Sequence, residues 1–234
     1  MAAFRMIFIN NQAPFITAME ALFQSEDHDD VECRVADVRM VNTENTAFVS
    51  PANSLGFMDG GIDLAYSRVM FPGVEARVKA RIRRLGMCTS LGRYYNRIGS
   101  AVVVPCIDQL NPDPQNPSKP QSALISAPTM FLPHDVSGTQ NAYHAMMASL
   151  CAFAKYRETH PDMQTLVCPA LCTGYGKMPP ALAAKQMHDA YVDFVAKKIP
   201  PQVSHLEEDD AYVTASLDDE QPNHYDNREI KRIT

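Results

Sequence analysis

The feature that most constrains the fold is an alternation of strand-like and helix-like segments through residues 1–199. The strand-like segments are short, rich in Val and Ile and bounded by turn residues, whereas the helix-like segments repeat apolar residues at helical spacing. The strand-like segments are residues 4–9, 31–38, 46–50, 101–107, 122–130 and 163–174. The helix-like segments are residues 13–24, 62–85, 139–160 and 179–199. Such interleaving predicts an α/β fold, with a mixed, mostly parallel sheet of about six strands covered by helices on both faces.

Prolines interrupt this pattern in two places. Pro72 and Gly73 lie inside the helical segment 62–85 and must kink or split it, because proline removes an amide donor and clashes with the preceding turn. Residues 108–121 contain four prolines and no apolar period, which predicts a surface loop.

The negative charge of the chain is concentrated at its C-terminal end. Residues 200–234 carry nine Asp and Glu against three Lys and Arg, which equals the net charge of −6 for the whole chain. We therefore predict one domain over residues 1–199 and an acidic, disordered tail over residues 200–234. A neutral body with an acidic tail disfavours nucleic acid as a partner, because that affinity depends on neutralising phosphates.

Several other classes of protein lack support in the sequence. No apolar run approaches the roughly 18 residues of a membrane span, and the first residues predict a strand rather than a signal peptide. We therefore expect a cytoplasmic, soluble protein without membrane partners. The six cysteines include no C-x-x-C pair and the seven histidines are isolated, so we expect free thiols and no metal. No cofactor is expected, and the oligomeric state is not indicated.

Glycines stand before two of the predicted helices, where a strand has just ended. Gly60 and Gly61 precede the helix near residue 62, and Gly174 and Gly176 precede the helix near residue 179. Helix N-termini expose unpaired amides, and glycine lets the backbone approach an anion closely. Two such turns at one edge of a sheet can clamp both phosphates of a diphosphate. Neither turn is a P-loop or a dinucleotide fingerprint, so a turn without a ligand is the alternative for each.

Three polar residues flank these turns. Asn53 follows the strand at residues 46–50, Asp63 comes ten positions later in the first helical turn, and Asp37 lies near the end of the strand-like segment 31–38. Each has an ordinary structural role as the alternative to ligand contact. An Asn caps turns through its own side chain, and an Asp in a first helical turn is favoured by the helix dipole.

Taken together, these residues resemble the macro domain family, whose members bind ADP-ribose. The similarity covers about residues 4–199 and rests on four motifs in the family's order. These are Ala36-Asp37-Val38, Ser50-Pro51-Ala52-Asn53, Asp59-Gly60-Gly61-Ile62-Asp63 and Cys172-Thr173-Gly174-Tyr175. The step from Asn53 to Asp63 is similar to that of MacroD-type hydrolases. The chain also resembles a phage-associated branch of the family, at residues 128–130, 141–143 and 183–191.

The resemblance implies a three-layer α/β/α sandwich and a role for each matched residue. Asp37, with Val38 beside it, would accept a hydrogen bond from the adenine amino group. Asn53 would bind hydroxyls of the distal ribose, and Asp63 would orient or activate a water near the anomeric carbon. The phosphates would be held by the two turns, at Gly60, Gly61, Ile62, Thr173, Gly174, Tyr175 and Gly176.

The resemblance also implies a function. ADP-ribose or an ADP-ribosylated substrate would be the partner, and the activity would be hydrolysis that removes mono-ADP-ribose. A binding module that recognises ADP-ribose without chemistry and a phosphatase of ADP-ribose 1″-phosphate are the alternatives. The chain departs from the family pattern at Ser50, where the family has Asn, and at Asp59, where it has Gly. The sequence identifies no aromatic residue that would stack on the adenine.

Overall fold

The computed structural model describes residues 4–24, 28–85, 87–106 and 121–197. The predicted acidic tail and all but the last residue of the predicted loop at 108–121 lie outside the described residues. The strands within the described ranges are β1 Arg5–Asn10, β2 Val31–Val35, β3 Thr46–Ser50, β4 Val102–Cys106, β5 Ser122–Ser126 and β6 Thr165–Pro169. The α-helices there are α1 Ala13–Phe23, α2 Gly61–Ala65, α3 Val74–Arg84, α4 Asn141–Thr159 and α5 Pro180–Val195. Each lies within a segment predicted for its type, apart from a one-residue extension at Asn10 and at Gly61.

The six strands form one sheet in the order β2-β1-β6-β3-β5-β4. All neighbouring strands are parallel except β4 and β5, which confirms the prediction of a mixed, mostly parallel sheet. The last strand, β6, lies between β1 and β3, so that Val167 pairs with Ile7 on one side and Phe48 on the other. Pro105 lies in β4 at the edge of the sheet, where the missing amide donor is tolerated.

Helices cover both faces of the sheet, and each face has its own apolar core. Successive strand residues point to opposite faces, so Phe8 belongs to the core under α1, α4 and α5, whereas Ile9 belongs to the core under α3. In the first core, Phe15 and Met146 are buried among alanines, and in the second Phe71 packs on Phe48. The predicted three-layer α/β/α sandwich is confirmed.

The predicted break of the helix at residues 62–85 is present, but it is longer than Pro72 and Gly73 alone indicate. Five residues of π-helical backbone, Tyr66–Met70, follow α2, and the amide of Phe71 donates to the carbonyl of Tyr66 at 2.8 Å. Gly73 then adopts a left-handed conformation with φ of 81° at the residue before α3. The break allows α2 to lie at the edge of the sheet while α3 packs over its face.

The described residues bear on three further expectations, which concern thiols, metal ligands and membrane-spanning helices. All six cysteines are free, and three of them (Cys106, Cys168 and Cys172) are buried. Within the described ranges, no three His, Cys, Asp or Glu side chains converge as metal ligands. No helix there is long and apolar enough to cross a bilayer.

Candidate functional site

A cleft of about 840 Å³ opens at the carboxyl ends of the parallel strands. Its walls come from the segments that directly follow β1, β2, β3, β5 and β6, as expected for a ligand site in an open α/β sheet. The structure brings all of the sequence-predicted site residues together in this cleft. They are Asp37, Val38, Asn53, Gly60, Gly61, Ile62, Asp63, Thr173, Gly174, Tyr175 and Gly176.

The first glycine turn leads directly into α2. Gly60 has extended backbone, and Gly61 has a φ of +55°, a left-handed conformation that glycine adopts without penalty. No side chain caps this helix end, and the space where a Gly61 side chain would lie is empty to 4 Å. The first amides of the helix therefore have no capping partner and can donate to a ligand.

The second glycine turn is tighter and depends on one glycine for steric reasons. A Cβ on Gly176 would lie 2.5 Å from the carbonyl oxygen of Cys172 and 2.7 Å from Val136. Cys172 and Lys177, neither of them glycine, have φ values of 64° and 53°. Left-handed conformations at such residues are uncommon and cluster at ligand sites.

The two turns meet through the ring of Tyr175. A Cβ on Gly60 would lie 3.5 Å from Cε2 of Tyr175, so the ring lies against the backbone of the first turn. The side chain remains 72% exposed, although it contacts the other turn. Residues from the two halves of the chain therefore line one space.

The sequence left open whether Asn53 has a structural role or lies at the site, and the structure shows both. Its Oδ1 accepts hydrogen bonds from the amides of Leu55 at 3.0 Å and Phe57 at 3.3 Å, which fixes the loop after β3. The side-chain NH₂ of Asn53 makes no hydrogen bond within the described residues. Asn53 lines the cleft, so this NH₂ is a donor available to a ligand.

Asp63 is held by the last residue of β3. Ser50 is fully buried, and its hydroxyl donates to Oδ1 of Asp63 at 2.6 Å. Burial raises the pKa of Asp63 to about 7, the hydrogen bond from Ser50 opposes this, and the charges of Asp59 and Glu75 add to it. Asp63 is thus a partly buried carboxylate that titrates close to neutral pH.

Asp37 is paired with a residue that the sequence reasoning did not select. The backbone amide and Nε of Arg39 both donate to Oδ1 of Asp37 at 2.9 Å. These hydrogen bonds hold the pKa of Asp37 at about 2, so its carboxylate is ionised. Arg39 also lines the cleft, which places an exposed guanidinium beside the predicted adenine contact.

A family model described as a macro-like domain matches residues 8–206 of the chain. The chain belongs to this family. The predicted resemblance to macro domains is confirmed at this level, and the MacroD-type and phage-branch features stay predictions.

Solved macrodomain structures are similar to this macro-like domain at low sequence identity. The macrodomain of Mycobacterium tuberculosis DarG is 17% identical, with a TM-score of 0.49 over 68% of this chain and 88% of that chain. The macrodomain of Thermus aquaticus DarG is 19% identical, with a TM-score of 0.47 over 66% and 85% of the two chains. Thermosipho africanus DarTG in complex with ADP-ribose is 14% identical, with a TM-score of 0.45 over 62% and 35%.

Several residues of the macro-like cleft were missed by the sequence reasoning. Asn10 ends β1, Asn11 and Gln12 follow it directly, and Arg39 and Arg68 also line the cleft. The signal for the first three was available, because a polar run at the carboxyl end of a parallel strand belongs to the same edge as the other site residues. Arg68 had no such signal, since it reaches the cleft only through the course of the broken helix.

Proposed function

We propose that this macro-like domain binds ADP-ribose in the cleft and hydrolyses the bond between the distal ribose and an attached group. The observation that carries the proposal is the carboxylate of Asp63, held by Ser50 in the same cleft as both glycine turns. The spacing of Asn53 and Asp63 supports a MacroD-type hydrolase. The free cysteines are compatible with the expected cytoplasmic location, where thiols stay reduced.

The binding half of the proposal assigns one part of the ligand to each part of the cleft. Its volume, about 840 Å³, lies in the ordinary range of ligand pockets. Amides of the turns at Gly60–Gly61 and 173–176 hold the diphosphate, because they offer uncapped donors and a backbone without obstructing side chains. The adenine lies toward Asp37, whose ionised carboxylate accepts from the exocyclic amine. The distal ribose lies toward Asn53, whose NH₂ donates to a hydroxyl.

The chemical half of the proposal rests on Asp63. Cleavage at an anomeric carbon passes through an oxocarbenium-like state, which a nearby carboxylate stabilises. In the ionised form Asp63 takes a proton from a water as the water oxygen bonds to the carbon, and the leaving group departs with its electron pair and is protonated by solvent. A base with a pKa of about 7 is well matched to this transfer near neutral pH.

The test is the replacement of Asp63 by Ala and by Asn. We expect the rate of ADP-ribose release from mono-ADP-ribosylated substrates to fall about 10²–10⁴-fold, the usual contribution of a general base. Binding of free ADP-ribose, measured by calorimetry, should stay in the micromolar range, roughly −8 kcal/mol. Unchanged turnover in both variants would remove Asp63 from the mechanism. Asp37→Ala is the binding control and should weaken the affinity instead.

A binding module without catalysis is the second candidate, and one observation favours it. The Oδ1 of Asn53 is already occupied by two loop amides, so only its NH₂ is left for the ribose. This candidate predicts calorimetric binding of ADP-ribose together with no release from any adduct tested.

Electrostatic repulsion disfavours the phosphatase alternative. Asp59 and Asp63 both line the cleft, and carboxylates repel a phosphate group at short range. Comparing the release of inorganic phosphate from ADP-ribose 1″-phosphate with the release of ADP-ribose from adducts separates the two activities.

A further inference from the structure

We propose that Ser50 is a positioning residue, whose hydroxyl holds one oxygen of the Asp63 carboxylate so that the other oxygen receives the attacking water. This inference rests on the proposed hydrolysis and assigns a role to a residue at which the chain departs from the macro domain pattern. Ser50 does not touch the ligand in this proposal. It acts through Asp63.

The position of Ser50 suits this task. It is the last residue of β3, fully buried, paired in register with Ser126 of β5, and its carbonyl accepts from the amide of Ala127 at 3.0 Å. A side chain on a central, doubly paired strand is held more rigidly than one on a loop. The hydrogen bond from this hydroxyl therefore fixes the position of the Asp63 carboxylate, which lies on the short helix α2, relative to the sheet.

The hydrogen bond makes the two carboxylate oxygens different. The distance of 2.6 Å from Oγ of Ser50 to Oδ1 of Asp63 lies in the range of O–H···O⁻ bonds, which are stronger than neutral ones. A hydroxyl has one proton to donate, so it serves one oxygen only. Within the described residues, Oδ2 of Asp63 makes no hydrogen bond. Oδ2 is therefore the oxygen left for the water.

Two acidic groups near Asp63 disfavour its charge. Asp59 lies in the loop before α2, and Glu75 lies at the start of α3 in an ion pair with Lys79. Tyr66, on the π-helical segment, is fully buried, and its hydroxyl has no hydrogen-bond partner within the described ranges. Among these neighbours, Ser50 is the one that stabilises the ionised form, as its hydrogen bond lowers the pKa of Asp63.

A direct test follows the carboxyl ¹³C resonance of Asp63 through a pH titration, with Asp63→Asn used for its assignment. In Ser50→Ala we expect the midpoint to rise by about one to two pH units, which is the usual strength of a hydrogen bond to a charged group expressed as a pKa shift. The matched control is Ser149→Ala, since Ser149 is equally buried and bonded to a carbonyl of α4 on the other side of the sheet. The control should titrate like the parent protein. An unchanged midpoint in Ser50→Ala overturns the proposal.

Two further variants protect the test against a folding defect in Ser50→Ala. Ser50→Thr keeps the hydroxyl and should keep the midpoint within about half a unit of the parent, whereas a shift equal to that of a hydroxyl-free variant contradicts the proposal. Ser50→Cys keeps the size but donates weakly, so its midpoint should lie above the parent value. A Cys variant that titrates like the parent also overturns the role of the hydroxyl.

Kinetics separate this inference from the proposed function. The acid limb of the profile of kcat/KM against pH should move to higher pH in Ser50→Ala, by the same number of pH units as the titration midpoint. The Kd for ADP-ribose should stay unchanged. Coincidence of the two shifts supports a positioning role, and a shift in the titration without one in the profile contradicts it. If the parent protein releases no ADP-ribose from any adduct, the proposed hydrolysis fails, and the titration still decides what Ser50 does to Asp63.

Discussion

The environment that raises the pKa of Asp63 also lowers the stability of the fold above neutral pH. An aspartate ordinarily titrates near 3.8, and Asp63 titrates at about 7 because it is buried. Between these values the folded state holds a proton that the unfolded state has lost, so the free energy of unfolding falls as pH rises from about 4 to about 7. The loss is at most about 4 kcal/mol above pH 7.

Asp63→Asn should therefore stabilise the protein at pH 8. The amide has the same shape and can still accept from Ser50, but it carries no charge to desolvate. We expect its melting temperature to exceed that of the parent by several degrees at pH 8, and to equal it at pH 4. Melting curves at the two pH values measure this. An equal difference at both values would mean that the charge of Asp63 is not the cause.

Gly176 should be intolerant of any side chain. An Ala there would place its Cβ 2.5 Å from the carbonyl of Cys172, so the turn has to move, at a cost of about 1–3 kcal/mol. We expect Gly176→Ala to melt at a lower temperature and to bind ADP-ribose more weakly. For the melting temperature, Gly174→Ala is the matched control, because its Cβ would meet nothing within 4 Å. Equal stability of the two variants would show that the turn accommodates the added atom.

At this scale, the sequence was informative about which residues share a site and uninformative about their partners. The motifs around Asn53 and Asp63 predicted positions that do line one cleft. The hydrogen bond from Ser50 to Asp63 joins residues 13 positions apart and depends on the path of the intervening loop, which no local pattern encodes. The pairing of Arg39 with Asp37 joins residues only two positions apart, but the sequence motifs did not select Arg39.

At the scale of elements, apolar periodicity was sufficient to predict every strand and α-helix within the described ranges. The strand runs are dense in Val, Ile and Leu, and the four longer helices, α1, α3, α4 and α5, each bury apolar residues. The π-helical residues Tyr66–Met70 were not predicted, because one wider turn leaves the residue pattern almost unchanged. Pro72 did predict a break in the helix, but it did not predict that π-helical residues would form part of the break.

The break after α2 gives a prediction about backbone conformation alone. Gly73 has a φ of 81°, and a Cβ there would meet nothing within 4 Å. Gly73→Ala should therefore cost about 1 kcal/mol through strain and not through a clash, a fall of about 2–4 °C in melting temperature for a domain of this size. Gly138→Ala, which has similar space and no left-handed φ, should melt like the parent. A fall of the same size in Gly138→Ala would refute the conformational explanation.

At the scale of the whole molecule, the boundary of the domain is still a prediction. The acidic residues concentrate after residue 200, whereas the family match continues to residue 206. We expect chains ending at residue 199 and at residue 206 to have the melting temperature and ADP-ribose affinity of the full chain. Calorimetry and melting curves on the two truncations provide the measurement. A loss at 199 but not at 206 would move the boundary into the tail.

The central place of β6 has a consequence for synthesis of the protein. Until residue 169 leaves the ribosome, β1 and β3 have no neighbour between them, and the emerging chain presents two unfinished sheet edges. The turn at residues 172–176 arrives later still, so the nascent chain passes through most of its length without a complete cleft. Long-range parallel pairing is slow to form, and unpaired edges attract other chains. We therefore expect the nascent chain to depend on chaperones until β6 is inserted between β1 and β3.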